Sequence, residues 1–153
     1  MRTDVHLPPD VRFFIFPLLF IAIPSFVPLL IARFSGWTIL ARRFRETSTF
    51  TGQSWGWKSA RMRWKMNYNN CLKIGADQAG LSMAMAFLFR MGHPALFVPW
   101  HEVTIRRRFK VFFRQYIEFE LGREERIPFA VDAKLAESLQ MAAGINWPAE
   151  VRT

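Results

Sequence analysis

Residues 13–32 read FFIFPLLFIAIPSFVPLLIA, twenty consecutive positions without one ionisable side chain. At ~1.5 Å per residue a helix of this length covers about 30 Å, the thickness of a bilayer's hydrocarbon core. The rest of the chain is too small to wrap such a run on all sides in a soluble core. A secretory signal has a shorter apolar core, ~7–15 residues, and ends at a small-residue cleavage site. The sequence Ala32-Arg33-Phe34 is a poor one. The run therefore predicts one retained membrane span. A cleaved signal and a re-entrant or surface-lying hairpin are the alternatives. Pro17, Pro24 and Pro28 each free a carbonyl that hydrocarbon will not satisfy. They predict a kinked helix, or a first piece ending near Ile23.

Charge sets the expected orientation. The chain carries a net +9, and residues 1–32 contribute two basic and two acidic groups. Arg33, Arg42, Arg43 and Arg45 follow the span, opposed only by Glu46. Cytoplasmic flanks carry an excess of Lys and Arg. The domain after the span is thus expected in the cytoplasm and the span in an inner (plasma) membrane. Five segments result: an outer N-terminus (1–12), the anchor (13–32), a basic juxtamembrane segment (33–57), a domain (58–145) and a tail (146–153). Within the third, residues 36–45 have helical spacing, with Trp37, Leu40, Ala41 and Phe44 on one face. Such a helix lies on the membrane or caps the domain. Trp37, Trp55 and Trp57 are expected near the interface; Trp64, Trp100 and Trp147 are expected to pack in the core or against a helix.

From Lys58 onward the apolar period is two. Strands are expected at 59–66, 71–76, 81–89, 95–99, 103–111, 115–121 and 125–129. Asn67-Tyr68-Asn69-Asn70 reads as a turn. In the first strand Arg61, Arg63 and Lys65 would share one face, and Met62, Trp64 and Met66 the other. Asp132 opens an amphipathic helix, with Leu135, Ala136 and Leu139 on its apolar stripe and Gly144 at its end. The fold class expected is mainly β with α: a meander of seven short strands that closes or half-closes on itself, capped by a C-terminal helix.

Three stretches bear a resemblance. Residues 71–77 (CLKIGAD), then Gly80-Leu81-Ser82, then residues 97–103 (FVPWHEV) resemble bacterial PH-like (pleckstrin homology-like, GRAM-like) domains, over about residues 58–143. The resemblance implies a seven-stranded barrel or sandwich with a last helix. It also marks Pro99, Trp100 and Glu102 as a signature corner, in which the indole packs and the carboxylate holds the turn. Phosphoinositide-binding members resemble one another in a basic first loop. The corresponding loop expected here, residues 66–70, holds no charge, so recognition of one particular headgroup is not implied.

No chemistry-bearing motif emerges. The three histidines and the single Cys71 have no metal-ligand spacing, and there is no phosphate-binding glycine loop. His93 reads as a loop residue, His101 as a neighbour of Glu102, and Cys71 as a small apolar strand residue. Neither enzyme activity, cofactor nor metal is expected. Arg106 and Arg108 are expected to pair with Glu118 and Glu120 across a hairpin. That leaves Lys110 and Arg114 at its tip. With Arg61, Arg63 and Lys65 these form the candidate anionic-surface contact. The function expected is a single-span, membrane-anchored binding or scaffolding module. Its expected partners are the membrane, anionic lipid headgroups and a protein. A membrane-associated enzyme with an unrecognised site and a nucleic-acid or anionic-polymer binder are the alternatives. No recognition helix or RNA-binding aromatic motif favours nucleic acid.

Overall fold

Seven segments with alternating apolar residues can hide those residues together by curling one sheet around a shared interior. The computed structural model, which describes residues 9–90 and 92–150, shows this arrangement. The strands are β1 (Gln53–Arg61), β2 (Asn67–Ala76), β3 (Gly80–Met85), β4 (Leu96–Pro99), β5 (Val103–Val111), β6 (Arg114–Leu121) and β7 (Ile127–Asp132). They form one curled antiparallel sheet in the order β4-β3-β2-β1-β7-β6-β5. β1 is the middle strand, laddered to β2 and joined to β7 where Arg61 meets Ala130. Leu72 and Ile74 from β2, Met83 from β3, Phe119 and Leu121 from β6, and Phe129 and Val131 from β7 point into one core.

The C-terminal helix is α3 (Ala133–Ala143). Asp132 caps it by accepting the Leu135 N–H at 3.0 Å. Leu135, Ala136, Leu139 and Ala143 are its buried stripe, and the helix packs on β2, β6 and β7. At the other end of the chain stands α1 (Pro9–Ser35), the single described helix long and apolar enough to cross a membrane. Phe14, Phe16, Leu18, Phe20, Ile21 and Phe26 are exposed along it. The helix continues past Ile23, so the expected early end is not found. A proline inside a helix removes one N–H while its neighbours keep theirs. Most of the expected outer N-terminus, His6 included, and the last residues of the tail lie outside the described residues.

The short helix after the span caps the domain. It is α2 (Trp37–Arg43), and its apolar face is buried. Trp37 is 0% exposed, within the core and not at an interface as expected, and its Nε1–H donates to the Pro94 carbonyl at 2.9 Å. Leu40 and Phe44 are buried beside it. Gly36 makes the bend between the two helices possible. Its φ is +89°, and a Cβ there would lie 2.8 Å from Ile127 Cδ1. Beyond α2 the chain lines the β4 edge: Glu46 N–H donates to Ala95 and Phe97 N–H to Phe44. That edge is thus covered.

Boundaries of β1, β2, β3 and β7 differ from expectation; β1 already begins at Gln53, inside the expected juxtamembrane segment, and β7 runs on to Asp132. β1 ends at Arg61, and Arg63–Lys65 forms a 3-10 turn. The alternation in SARMRWKM imitates a strand, but Ala60 pairs with Tyr68 and Arg61 with Asn67. The turn therefore falls at residues 62–66. Asn67-Tyr68-Asn69-Asn70 becomes strand because Tyr68 is drawn into the interior. β3 stops at Met85, because Phe87–Phe89 forms a 3-10 turn in which the Phe89 N–H donates to the Ala86 carbonyl. β7 begins at Ile127, since residues 122–126 complete a turn closed by Arg126 N–H on the Gly122 carbonyl.

A fragment beginning near Gly52 keeps all seven strands but lacks the core residues Trp37, Leu40 and Phe44. Such a fragment will unfold at lower temperature, and less cooperatively, than one beginning at Ser35, as followed by circular dichroism. In the longer chain Trp37→Ala will cost about 3–5 kcal/mol, measured by urea unfolding. Equal stability of the two fragments would show that α2 is not part of the core.

Candidate functional site at the junction of helix and sheet

The last turn of α1 is built into the domain. Ala32 and Ser35 are buried, with Trp37 directly after them. A chain of polar groups runs through this junction. Tyr68 Oη donates to Ser35 Oγ at 2.7 Å, and Ser35 Oγ reaches the Ala32 carbonyl at 3.4 Å. His93 Nε2 lies 3.0 Å from the Tyr68 hydroxyl. With the phenol proton given to Ser35, the imidazole fits as donor to the phenol oxygen. Trp37 stands edge-on to His93, ring centroids 5.1 Å apart. His93 lies in the loop between β3 and β4, as expected, but it is buried there. Burial pushes the Tyr68 hydroxyl up to about 12, against the lowering effect of Ser35. No sequence pattern marks this cluster, because its members are 25 and 33 residues from Tyr68.

Two turns flank the junction. The β1–β2 turn packs against α1, and the loop after β3 does so through Gly92. A Cβ on Gly92 would lie 2.7 Å from Leu29 Cδ2, and φ there is +76°. These turns present Trp64 (74% exposed), Phe87 (83% exposed) and Phe89 to the outside. Trp64, expected in the core, instead projects from the turn with φ +59°, and Lys65 follows with φ +55°. A left-handed backbone costs a bulky residue ~1–2 kcal/mol. The Arg63 guanidinium lies 5.7 Å from the Trp64 ring centroid. Because the turn sits at residues 62–66, the first loop is not the chargeless stretch expected: it carries Arg63 and Lys65.

The five cations selected from the sequence do not form one face. Arg63 and Lys65 are in the β1–β2 turn, and Arg61 is held to Asn67 Oδ1 at 3.0 Å. Lys110 and Arg114 are elsewhere. From its contact with Arg61, β7 runs away from that turn to Asp132, which pairs with Tyr116 near the β5–β6 tip. Lys110 and Arg114 therefore flank the opposite end. There Phe112 and Phe113 make the hairpin turn, Phe113 being 95% exposed. The ion pairs expected on β5 are met in part: Arg106 reaches Glu118, while Arg108 does not reach Glu118 or Glu120. A bulge between Ile105 and Arg107 brings Arg107, not Arg108, onto Glu118 through two 3.1 Å hydrogen bonds. Arg106 lies 3.8 Å from Glu118, Arg108 pairs with Glu150 at 3.2 Å, and Glu120 faces Thr104.

The corner at Pro99, Trp100 and Glu102 is a closed structural unit. Trp100 is buried, donates Nε1–H to the Asp77 carbonyl at 2.7 Å and packs on Trp147. Glu102 Oε2 accepts the Arg123 N–H at 2.9 Å, and Oε1 accepts from Arg43 at 3.2 Å. The Arg123 N–H, and behind it the Arg43 charge, hold the Glu102 carboxyl below the usual carboxylate range despite its burial. Nε2 of His101 lies 4.0 Å from Glu102 and is largely exposed. Cys71 is half-buried on β2, and that burial pushes its thiol up. Among the described residues, no three His, Cys, Asp or Glu side chains come together as a metal site would require. No family model, curated protein or solved structure matches the chain significantly.

Two outcomes follow from these contacts. Glu102→Ala will cost about 1–3 kcal/mol, since it leaves the Arg123 N–H without its acceptor. The lowered carboxyl makes the wild-type contribution complete above the ordinary carboxylate range and lost as pH falls through the folded value; the variant will not show that loss. At the junction, Tyr68→Phe removes the hydrogen bonds that Tyr68 makes with Ser35 and His93 and will cost about 1–3 kcal/mol. The raised phenol predicts that wild-type stability falls as pH rises from 10 toward about 12, and Tyr68→Phe will remove this fall in urea titrations. A variant with an unchanged alkaline limb would exclude Tyr68 as its source.

Proposed function

We propose that the protein is a single-span inner-membrane protein whose β domain is a PH-like binding or scaffolding module in the cytoplasm. The observation that supports this most is the continuity between an apolar helix of spanning length and the core of the sheet. Ala32 and Ser35 belong to both, and exposed apolar side chains crowd the rest of the helix. Such a surface is at home in lipid and costly in water, at roughly 25 cal/mol per Å². The PH-like assignment draws on the strand count, the sheet order around β1, the closing helix, and the buried Trp100–Glu102 corner. The orientation draws on Arg33, Arg42, Arg43 and Arg45, all just beyond the span.

The module reading also agrees with how the corner's polar side chains are used. Glu102 accepts from the Arg43 side chain and from the Arg123 backbone N–H, and the Arg123 side chain donates to the His101 carbonyl, so these groups hold the fold together. Full-length protein will sediment with membranes and resist carbonate extraction. A reporter fused after Thr153 will be active only as a cytoplasmic fusion. Release by carbonate would remove the span, and reporter activity on the outer side would reverse the orientation.

A further inference from the structure

We propose that the junction end of the domain is immersed in the interfacial layer of the bilayer, with Trp64, Phe87 and Phe89 as its lipid-facing groups. The inference rests on the reading of α1 as a membrane span and adds how the domain sits against the leaflet. Depth comes first. Gly92 touches α1 at Leu29 and lies 3.6 Å, by its would-be Cβ, from Ala32. Leu29 is within the apolar span and about one helical turn, ~5.4 Å, inside Arg33. The loop that includes Phe87 and Phe89 therefore reaches past the level of the first flanking charge. The β1–β2 turn, with Trp64, packs against the same helix.

Side-chain chemistry agrees with that depth. Indole and phenyl rings are enriched where headgroups meet acyl chains. Trp64 and Phe87 are each about three-quarters or more exposed. Arg63, Lys65 and Arg90 are exposed around them, where lipid phosphates would lie. Residues 47–101 hold six Lys and Arg and one carboxylate, Asp77. Asp77 follows the far end of β2, ten residues in length, so it is remote from this rim. An anionic leaflet is the partner that this charge balance suits.

The buried chain His93–Tyr68–Ser35 makes the placement rigid, because it bonds the β3–β4 loop and β2 to the end of α1. The domain then has no free tether along which to drift from the membrane. The Phe112–Phe113 tip is a built-in comparison: its rings are as exposed, but it lies at the opposite end of the sheet.

Nitroxide labels test the proposal in the full chain. The background is Cys71→Ser, reconstituted in vesicles of phosphatidylcholine and phosphatidylglycerol. Single labels are placed through Phe20→Cys, Trp64→Cys, Phe87→Cys and Phe113→Cys. Collisions with oxygen report lipid, and collisions with a water-soluble nickel chelate report solvent. The expected result is high oxygen and low nickel accessibility at positions 20, 64 and 87, and the reverse at 113. Lipid exposure at 20 with water exposure at both 64 and 87 would overturn the immersion and leave the span standing. Water exposure at 20 would overturn the span as well. Lipid exposure at all four positions would overturn the one-ended placement.

Discussion

Burial of Trp37 joins the two halves of this molecule. The residue follows the apolar helix by a single glycine, yet it is enclosed by the sheet and the β3–β4 loop. Removing its indole from water contributes several kcal/mol, as much as any single core residue does. Its Nε1–H is satisfied by Pro94, so the gain is not offset by an unpaired donor. Because Trp37 is held, the last turn of α1 is held, and Gly36 can bring that turn against Ile127.

The junction is polar where it needs to be specific. Packing alone would let a smooth apolar helix rotate or slide on the sheet. The bonds from Tyr68 to Ser35 and from His93 to Tyr68 are directional, and each fixes the helix end relative to a different element. Glu102 plays the same part on the other side of α2, where Arg43 reaches across to the corner. Buried or half-buried polar groups of this kind are expensive unless every partner is present. They therefore discriminate strongly between the native arrangement and a shifted one.

Much of the strand pattern could be read from alternation alone. β5 agrees with the expected bounds, β4 and β6 nearly so, and α3 agrees with its cap at Asp132 and its end at Gly144. The misplaced first turn shows the limit. Met62, Trp64 and Met66 alternate with cations as a strand would, and three asparagines around Tyr68 look like a turn. Pairing with β2 overrode both signals, because Tyr68 has long-range partners that a local window cannot contain. The β5–β6 ion pairs came out only in part for a related reason: Arg106 reaches Glu118, but one bulge sets Arg107 opposite that carboxylate and leaves Arg108 to Glu150.

By itself, the sequence determined an apolar helix of membrane-spanning length, a basic flank beyond it, seven short strands and a closing helix. Each of these is a local property, set by hydropathy, charge or period within one segment. Only the tertiary structure decided that Trp37 is core, that His93 and Tyr68 lock the helix end, and that the candidate cations divide between two ends of the sheet. Those outcomes depend on which residues meet across twenty-five or more positions of chain. Such meetings are selected by the shared interior and by the partners that buried polar groups require, and neither is encoded in a neighbourhood of the sequence.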